Sequence, residues 1–151
     1  MENLRFLKSK ETKQIIKILE EQFGVKKELD YFFMMNSEGD IFLINRDIEK
    51  IDFEKININN LGLYFGQLKK DQIRLSIEGS QLIGNHAKKG VSELDDGQIR
   101  KYISGEDIET GMEDQGQLIL KNNKDFFGSS KIKNRMLLNF FPKSRRSSTM
   151  Q

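Results

Sequence analysis

The sequence of 151 residues contains no cysteine and no tryptophan, and it has one proline and one histidine. Without cysteine there are no disulfides, no thiolate nucleophile and no Cys-based zinc site, and a reducing compartment is the natural setting. A cytoplasmic location is therefore expected. The single His86 cannot build a His-rich metal centre, because such centres need several convergent ligands. It reads as a surface or helix-end imidazole. No apolar run approaches the roughly 20 residues that span a bilayer, and the N-terminal MENLRFLKSKETK has no apolar core of the kind a secretory leader carries. Neither G-x-G-x-x-G nor G-x-x-x-x-G-K-[ST] occurs, so the glycine-rich loops that cradle nucleotide phosphates are missing. No metal or nucleotide cofactor is expected.

What is present is charge, unevenly placed. Charged residues make up 32% of the chain and hydrophobic ones 36%, yet the net charge is only +2. Residues 1–85 are close to neutral, with 13 Lys/Arg against 14 Asp/Glu. Residues 92–115 hold eight Asp/Glu against two Lys/Arg, and from 116 to the end eight Lys/Arg face Asp125 alone. Like charge at that density repels itself, which points to an anionic partner for the C-terminal third. The plainer alternative is a solvated strand face followed by a basic tail.

Hydrophobic periodicity organises the rest. ETKQIIKILEEQF, residues 11–23, places Ile15, Ile16, Ile18, Leu19 and Phe23 on one helical stripe, with Gly24 as its stop. YFFMMN and IFLIN flank Ser37-Glu38-Gly39-Asp40, a hairpin pattern in which Gly39 supplies positive φ and Met34 or Met35 packs in the core. RDIEKIDFEKI is a weaker signal, a short helix and then a loop. Two strands follow at 61–69 and 72–77, joined by Lys69-Lys70-Asp71, and then a short helix through Leu82. Gly62 and Gly66 inside the first of these strands point to a bulge or a close backbone approach.

After Gly90 the pattern restarts. VSEL reads as a short strand, Asp95 or Asp96 as the cap of a helix to about Ser104, and Ile99, Tyr102 and Ile103 as its buried face, with Gly105 ending it. The acidic loop 106–114 lacks calcium-loop spacing and reads as solvated surface. QLILKNN, DFFGSSKIK and RMLLNFF suggest an antiparallel meander closed by Pro142. The division expected is an α/β unit over 1–85, a second unit over 86–146 and a disordered tail at 147–151. Both units are small, so a shared interface between them is expected.

Residues 88–146 resemble a PUA domain, the RNA-binding module named for pseudouridine synthases and archaeosine transglycosylases. The resemblance lies in Lys89-Gly90-Val91 opening the first strand, the helix DDGQIRKYISG, Gly105-Glu106-Asp107-Ile108 at a Gly-x-Asp-Val/Ile element, the strand QGQLILK, and Phe127-Gly128. LGLYFGQLKKDQIRLSIEGSQLI is similar to the segment before the PUA domain in a two-domain ribosome-biogenesis family. The two halves together resemble archaeal stand-alone proteins related to the C-terminal extension of Sun-type RNA cytosine methyltransferases. The fold implied is α+β, an α/β pre-PUA unit followed by a small mixed, mostly antiparallel β-barrel. The function implied is that of an RNA-binding accessory protein in ribosomal or transfer RNA maturation or modification. With no methyltransferase domain present, any modification would fall to another chain.

Candidate RNA contacts are Lys88 and Lys89 at the entrance to the second unit, Lys124 in a strand turn, Lys131, Lys133 and Arg135, and Lys143, Arg145 and Arg146. Lys131, Lys133 and Arg135 alternate, so an extended segment projects them from one face. In the adjacent pairs Phe126-Phe127 and Phe140-Phe141, one ring of each is expected in the core and the other free for stacking or for the seam between units. Two other readings stand beside this one. One is an enzyme, for which the chain lacks a nucleophile–base pair and a metal cluster. The other is a protein-interaction scaffold of a ribosome-assembly or RNA methyltransferase complex, whose partners would be those proteins.

Overall fold

A computed structural model of the chain describes residues 4–46 and 62–146. In the first unit the order is β1 (Arg5–Phe6), α1 (Ser9–Phe23), β2 (Tyr31–Met35), β3 (Asp40–Asn45), β4 (Gly62–Lys69), β5 (Gln72–Leu75) and α2 (Ile77–Ile83). After a 3₁₀ turn at Gly84–His86 come β6 (Val91–Glu93), α3 (Asp96–Ile103), β7 (Ile108–Glu109), β8 (Gln115–Asn122), β9 (Asp125–Lys133) and β10 (Met136–Leu137). A second 3₁₀ turn spans Lys143–Arg145. The helix and loop expected after Arg46 and the tail expected at 147–151 lie outside the described residues.

The strands form two sheets among the described residues. The first runs β1-β2-β3-β4-β5 and is antiparallel throughout, and the second runs β6-β8-β9-β10-β7. In the second sheet only β6 lies parallel to its neighbour, β8. The architecture is thus α+β, with a curled, mostly antiparallel sheet in the C-terminal unit, as the sequence implied.

Local signals explain most elements. Glu11 accepts a hydrogen bond from the Lys8 backbone N–H at 3.0 Å, tying down an orphan donor at the α1 N-terminus, and Gly24 ends the helix in the left-handed region at φ 65°. Lys70 and Asp71 are both at positive φ, 53° and 61°, which gives the β4–β5 hairpin the handedness that matches strand twist. Register shifts between β3 and β4 where Ile41 pairs with Gly66 and Phe42 with Tyr64, so Phe65 is the extra residue of a bulge. At Gly66 a Cβ would lie 2.4 Å from the Arg74 carbonyl oxygen, the close approach its glycine implied. Ser76, expected in the strand, instead caps α2 by accepting from the Gly79 N–H at 2.9 Å. Asp95 caps α3 through the Gln98 N–H, and Gln98 returns a bond to the Asp95 N–H.

The last strand is shorter than its apolar pattern predicts. RMLLNFF contributes two residues to the sheet, because Asn139 leaves the ladder and bonds α3 instead: its amide donates to the carbonyls of Tyr102 and Glu106, each at 2.7 Å. Pro142 accordingly follows an irregular stretch and precedes a 3₁₀ turn rather than ending a strand.

Alternation along the strands separates the cores. Phe33, Ile41 and Leu43 face α1 and its Ile15, Ile18, Leu19 and Phe23, while Met34 and Ile44 form a small cluster elsewhere. In β8, Leu118 and Leu120 join Ile99, Tyr102 and Leu137 in the second core, whereas Ile119 between them enters the first. Phe126 of β9 also belongs to the first core, and Ile77 of α2 belongs to the second. The interface expected between two small units is therefore a shared core.

Two buried hydroxyls complete that seam. Ser129 Oγ accepts from the Leu75 N–H at 2.8 Å and donates to Gln117 Oε1 at 2.7 Å; Ser80 Oγ accepts from the Gly128 N–H at 2.8 Å and donates to the Ile77 carbonyl at 2.7 Å. Both serines are essentially inaccessible, so neither backbone N–H has water as a substitute partner. Ser129→Ala orphans the Leu75 N–H and should cost about 1–3 kcal/mol. The exposed turn variant Ser37→Ala should stay within about 0.5 kcal/mol. Urea denaturation of the two variants beside the parent checks this.

Candidate nucleic-acid interface

The structure treats the nine basic candidates unequally. Lys131 and Lys133 stand on the solvent face of β9, exposed, with buried Ile132 between them. Among the described residues neither is paired with a carboxylate. Arg135 is exposed too, but it sits beyond the strand in a tight turn with Asn134, both at positive φ, and its Nη1 donates to the Gly111 carbonyl at 3.0 Å. Lys143 is exposed in the final 3₁₀ turn. Arg145 Nη1 is 2.7 Å from Glu78 Oε2 in α2, an ion pair between the units. Arg146 lies over Gly105, where an added Cβ would come within 2.9 Å of its Nε, and its Nη2 donates to Asn139 Oδ1 at 3.4 Å.

Lys124 occupies the β8–β9 turn, at the opposite end of β9 from Lys131 and Lys133. At about 3.3 Å per residue that separates it from them by about 20 Å or more. Lys88 and Lys89 are exposed, and their backbone N–H groups both donate to the Phe23 carbonyl, at 2.8 and 3.2 Å, which satisfies a C-terminal carbonyl of α1 and fixes the entrance to the second unit. The arginines of the candidate set are thus engaged within the molecule, while the side chains of Lys131, Lys133, Lys124 and Lys143 are exposed without such contacts.

The acidic loop does more than meet solvent. Asp107 Oδ1 accepts from the Asn139 N–H and Asp114 Oδ1 from the Asn134 N–H, each at 2.8 Å. These bonds lay acidic residues 107–114 along the β9–β10 turn and beside Arg135, so positive potential there is offset. Lys131 lies further back along β9, on the same face as Lys133, where it shares a cavity of about 340 Å³ with Lys69, Lys70 and Arg74 of the β4–β5 hairpin.

Nothing in the sequence signals that these three hairpin cations meet Lys131. Summed over residues 1–85 the charge is near neutral, and the hairpin's K-K-D-Q-I-R run reads as turn chemistry. The aromatic pairs divide as their alternation predicts. Phe126 and Phe141 are buried; Phe127 is partly buried against the second core, and Phe140 is half-buried at the seam, its ring 4.2 Å from Arg74 Cζ. Arg74 Nη2 donates to Gln67 Oε1 at 3.2 Å, so the guanidinium is held both by an amide and by a ring face. The same Arg74 and Phe140 border a smaller cavity of about 130 Å³ with Tyr64, Tyr102 and Phe127.

Catalytic equipment is sparse here. Among the described residues no group of three His, Cys, Asp or Glu is placed to hold a metal ion, and no helix is long and apolar enough to cross a membrane. His86 is exposed in the first 3₁₀ turn. Tyr64 and Tyr102, the phenols facing the small cavity, are both pushed above the ordinary range, chiefly by burial. Tyr64 is raised further by Asp40, whose Oδ1 accepts its hydroxyl at 3.0 Å, and Arg74 only partly opposes this. A neutral phenol near pH 7 is a hydrogen-bond donor and not a base. NMR titration of labelled tyrosine should show Tyr64 still protonated at a pH where a free phenol has half ionised. Asp40→Asn should lower its midpoint without restoring the ordinary value, because the burial remains.

Two family models match the chain. Residues 4–77 match the NIP7/UPF0113 pre-PUA domain, and residues 89–147 match the PUA domain of the methyltransferase RsmF. A search of curated proteins finds no match. The first match covers the α1-backed sheet and the second the curled sheet with α3, in the order the sequence implied. The chain is therefore a two-domain protein, a NIP7-type pre-PUA domain followed by an RsmF-type PUA domain.

Proposed function

We infer that this protein is an RNA-binding accessory factor in the maturation or modification of ribosomal or transfer RNA, acting in the cytoplasm and gripping RNA through a basic face of its PUA domain. Lys131 and Lys133 carry this reading: two exposed cations on one face of β9, unpaired with any carboxylate among the described residues, in a domain type that binds RNA. Their charge is open to phosphate, and phosphate contacts supply affinity and position with little sequence information. Lys143 extends the same kind of surface, and Lys124, Lys88 and Lys89 are available to a longer RNA. Arg145, Arg146 and Arg135 are held within the molecule instead, by Glu78 of α2, by Asn139 and by the Gly111 carbonyl. The chain's role is to hold RNA, and any chemistry on that RNA belongs to a partner such as an RNA methyltransferase.

The experiment is RNA binding at two or more salt concentrations, using structured and single-stranded RNA. Replacing Lys131 and Lys133 together by Ala should weaken binding and make the dependence of log affinity on log salt shallower by about 1.4 for single strands, about 0.7 per lost phosphate contact. Thermal melting should be nearly unchanged, because both side chains are exposed. Arg135→Ala should show the reverse balance, a lower melting temperature with a smaller effect on RNA. Parental affinity and slope in the folded Lys131/Lys133 variant would remove these residues from the interface.

A further inference from the structure

We propose that the groove between the β4–β5 hairpin of the first domain and β9 of the second is a binding site for single-stranded RNA, seating about one nucleotide, and that the pre-PUA domain supplies most of its charge. The inference rests on the RNA-binding reading above and assigns it a place that neither domain forms alone.

Charge is the first ground. Lys69, Lys70 and Arg74 from one domain and Lys131 from the other line the groove, and no acidic side chain does. Asp71 stands in the same hairpin turn without lining the groove, and neither does Glu38, whose carbonyl accepts from Gln67 Nε2 at 3.2 Å. Among the described residues, ion pairs form at Arg5–Glu11, Arg46–Asp30 and Arg145–Glu78, and none involves these four cations. Four unneutralised cations around one concavity repel one another and raise the local concentration of anions.

Shape is the second. A volume of about 340 Å³ is at the small end of the range for ligand pockets, enough for one nucleotide and far too little for a double helix. At its edge the Arg74 guanidinium lies over the Phe140 ring, 4.2 Å from Cζ to centroid, and donates a hydrogen bond to Gln67. Planar guanidinium groups and aromatic rings are the surfaces on which unpaired bases stack, and a platform already fixed loses little entropy when a base arrives.

Chemistry is the third. Gln67, Gln72 and Gln117, from three different strands, are the remaining lining residues. An amide offers both donor and acceptor, suited to base edges and ribose hydroxyls as well as to phosphate oxygens. Gln117 is fixed by the bond from Ser129 Oγ to its Oε1, so the seam that joins the domains also orients a groove residue.

The test uses the full chain with fluorescent oligouridine and, in parallel, an RNA duplex, across a salt series. Lys69→Gln/Lys70→Gln should weaken oligouridine binding roughly tenfold and flatten the salt slope by about 1.4, with the melting temperature kept. Arg74→Lys keeps the charge and removes the plane, so it should lower oligouridine affinity at least about fivefold while leaving the slope unchanged. Parental affinity and slope in the Lys69/Lys70 variant, with the parent binding RNA, would overturn the groove and leave RNA binding by the PUA face intact. A parent that binds neither RNA would overturn both. A larger loss for the duplex than for oligouridine, or an Arg74→Lys protein that binds oligouridine like the parent, would overturn the single-strand assignment.

Discussion

The arrangement of this protein depends on two serine hydroxyls buried between its domains. Ser129 and Ser80 each accept a backbone N–H from across the seam and each donate a bond onward, so two buried backbone N–H groups and two buried hydroxyls are satisfied at once. The bonds require close approach, and the sequence provides it with glycine. Gly128 sits at φ 86° with the Leu75 carbonyl 3.2 Å from where a Cβ would stand, and a Cβ on Gly84 would fall 2.6 Å from the Phe126 ring. A hydrophobic contact alone would tolerate sliding of one domain on the other. Directional bonds to fixed backbone groups do not, because slippage leaves a buried N–H unpaired.

That rigidity sets the geometry of the groove beside it. The Leu75 N–H held by Ser129 lies at the end of β5, the strand that carries Arg74, and β5 is paired in register with β4, which carries Lys69. Fixing Leu75 against β9 therefore fixes Arg74 against Phe140 and sets Lys69 and Lys70 opposite Lys131. In each domain by itself these cations are ordinary surface side chains. They become a concave, acid-free surface only because the seam is stiff, which is the support a preorganised binding site needs.

How much of this was legible in the sequence follows from the range of each interaction. Helix α1, its Gly24 stop, the Gly39 hairpin and the Asp95 cap depend on neighbours a few residues apart, and they stand where periodicity and cap chemistry place them. The PUA resemblance over 88–146 and the preceding pre-PUA segment agree with the matched domains for the same reason, since ordered local motifs carried it. Contacts between distant residues leave no such trace. Nothing in a local window says that Arg145 meets Glu78, that Asn139 abandons its strand for α3, or that Asp107 and Asp114 receive backbone N–H groups from the basic segment. A sum over residues 116–151 counts eight cations, and it cannot see that the three arginines among them are engaged inside the molecule while the hairpin of a near-neutral half holds three cations toward the groove.

Net charge by segment is thus a poor guide to where positive potential gathers in a protein of two fused domains, and the physical reason is range. At physiological ionic strength an exposed charge is felt over roughly 8 Å, a distance set by folding and not by position along the chain. Within that range of Arg135 the acidic loop lies close, through Gly111 and through Asp114 on the neighbouring Asn134, and the local field is weakened. Around Lys131 the lining residues are three further cations, three amides and a ring. Lys131 on the strand and Arg135 in the turn beyond it, only four residues apart, carry the same charge and meet opposite surroundings. The sign of the surface along β9 is decided by what the fold brings alongside, which is the β4–β5 hairpin at Lys131 and residues 107–114 at Arg135.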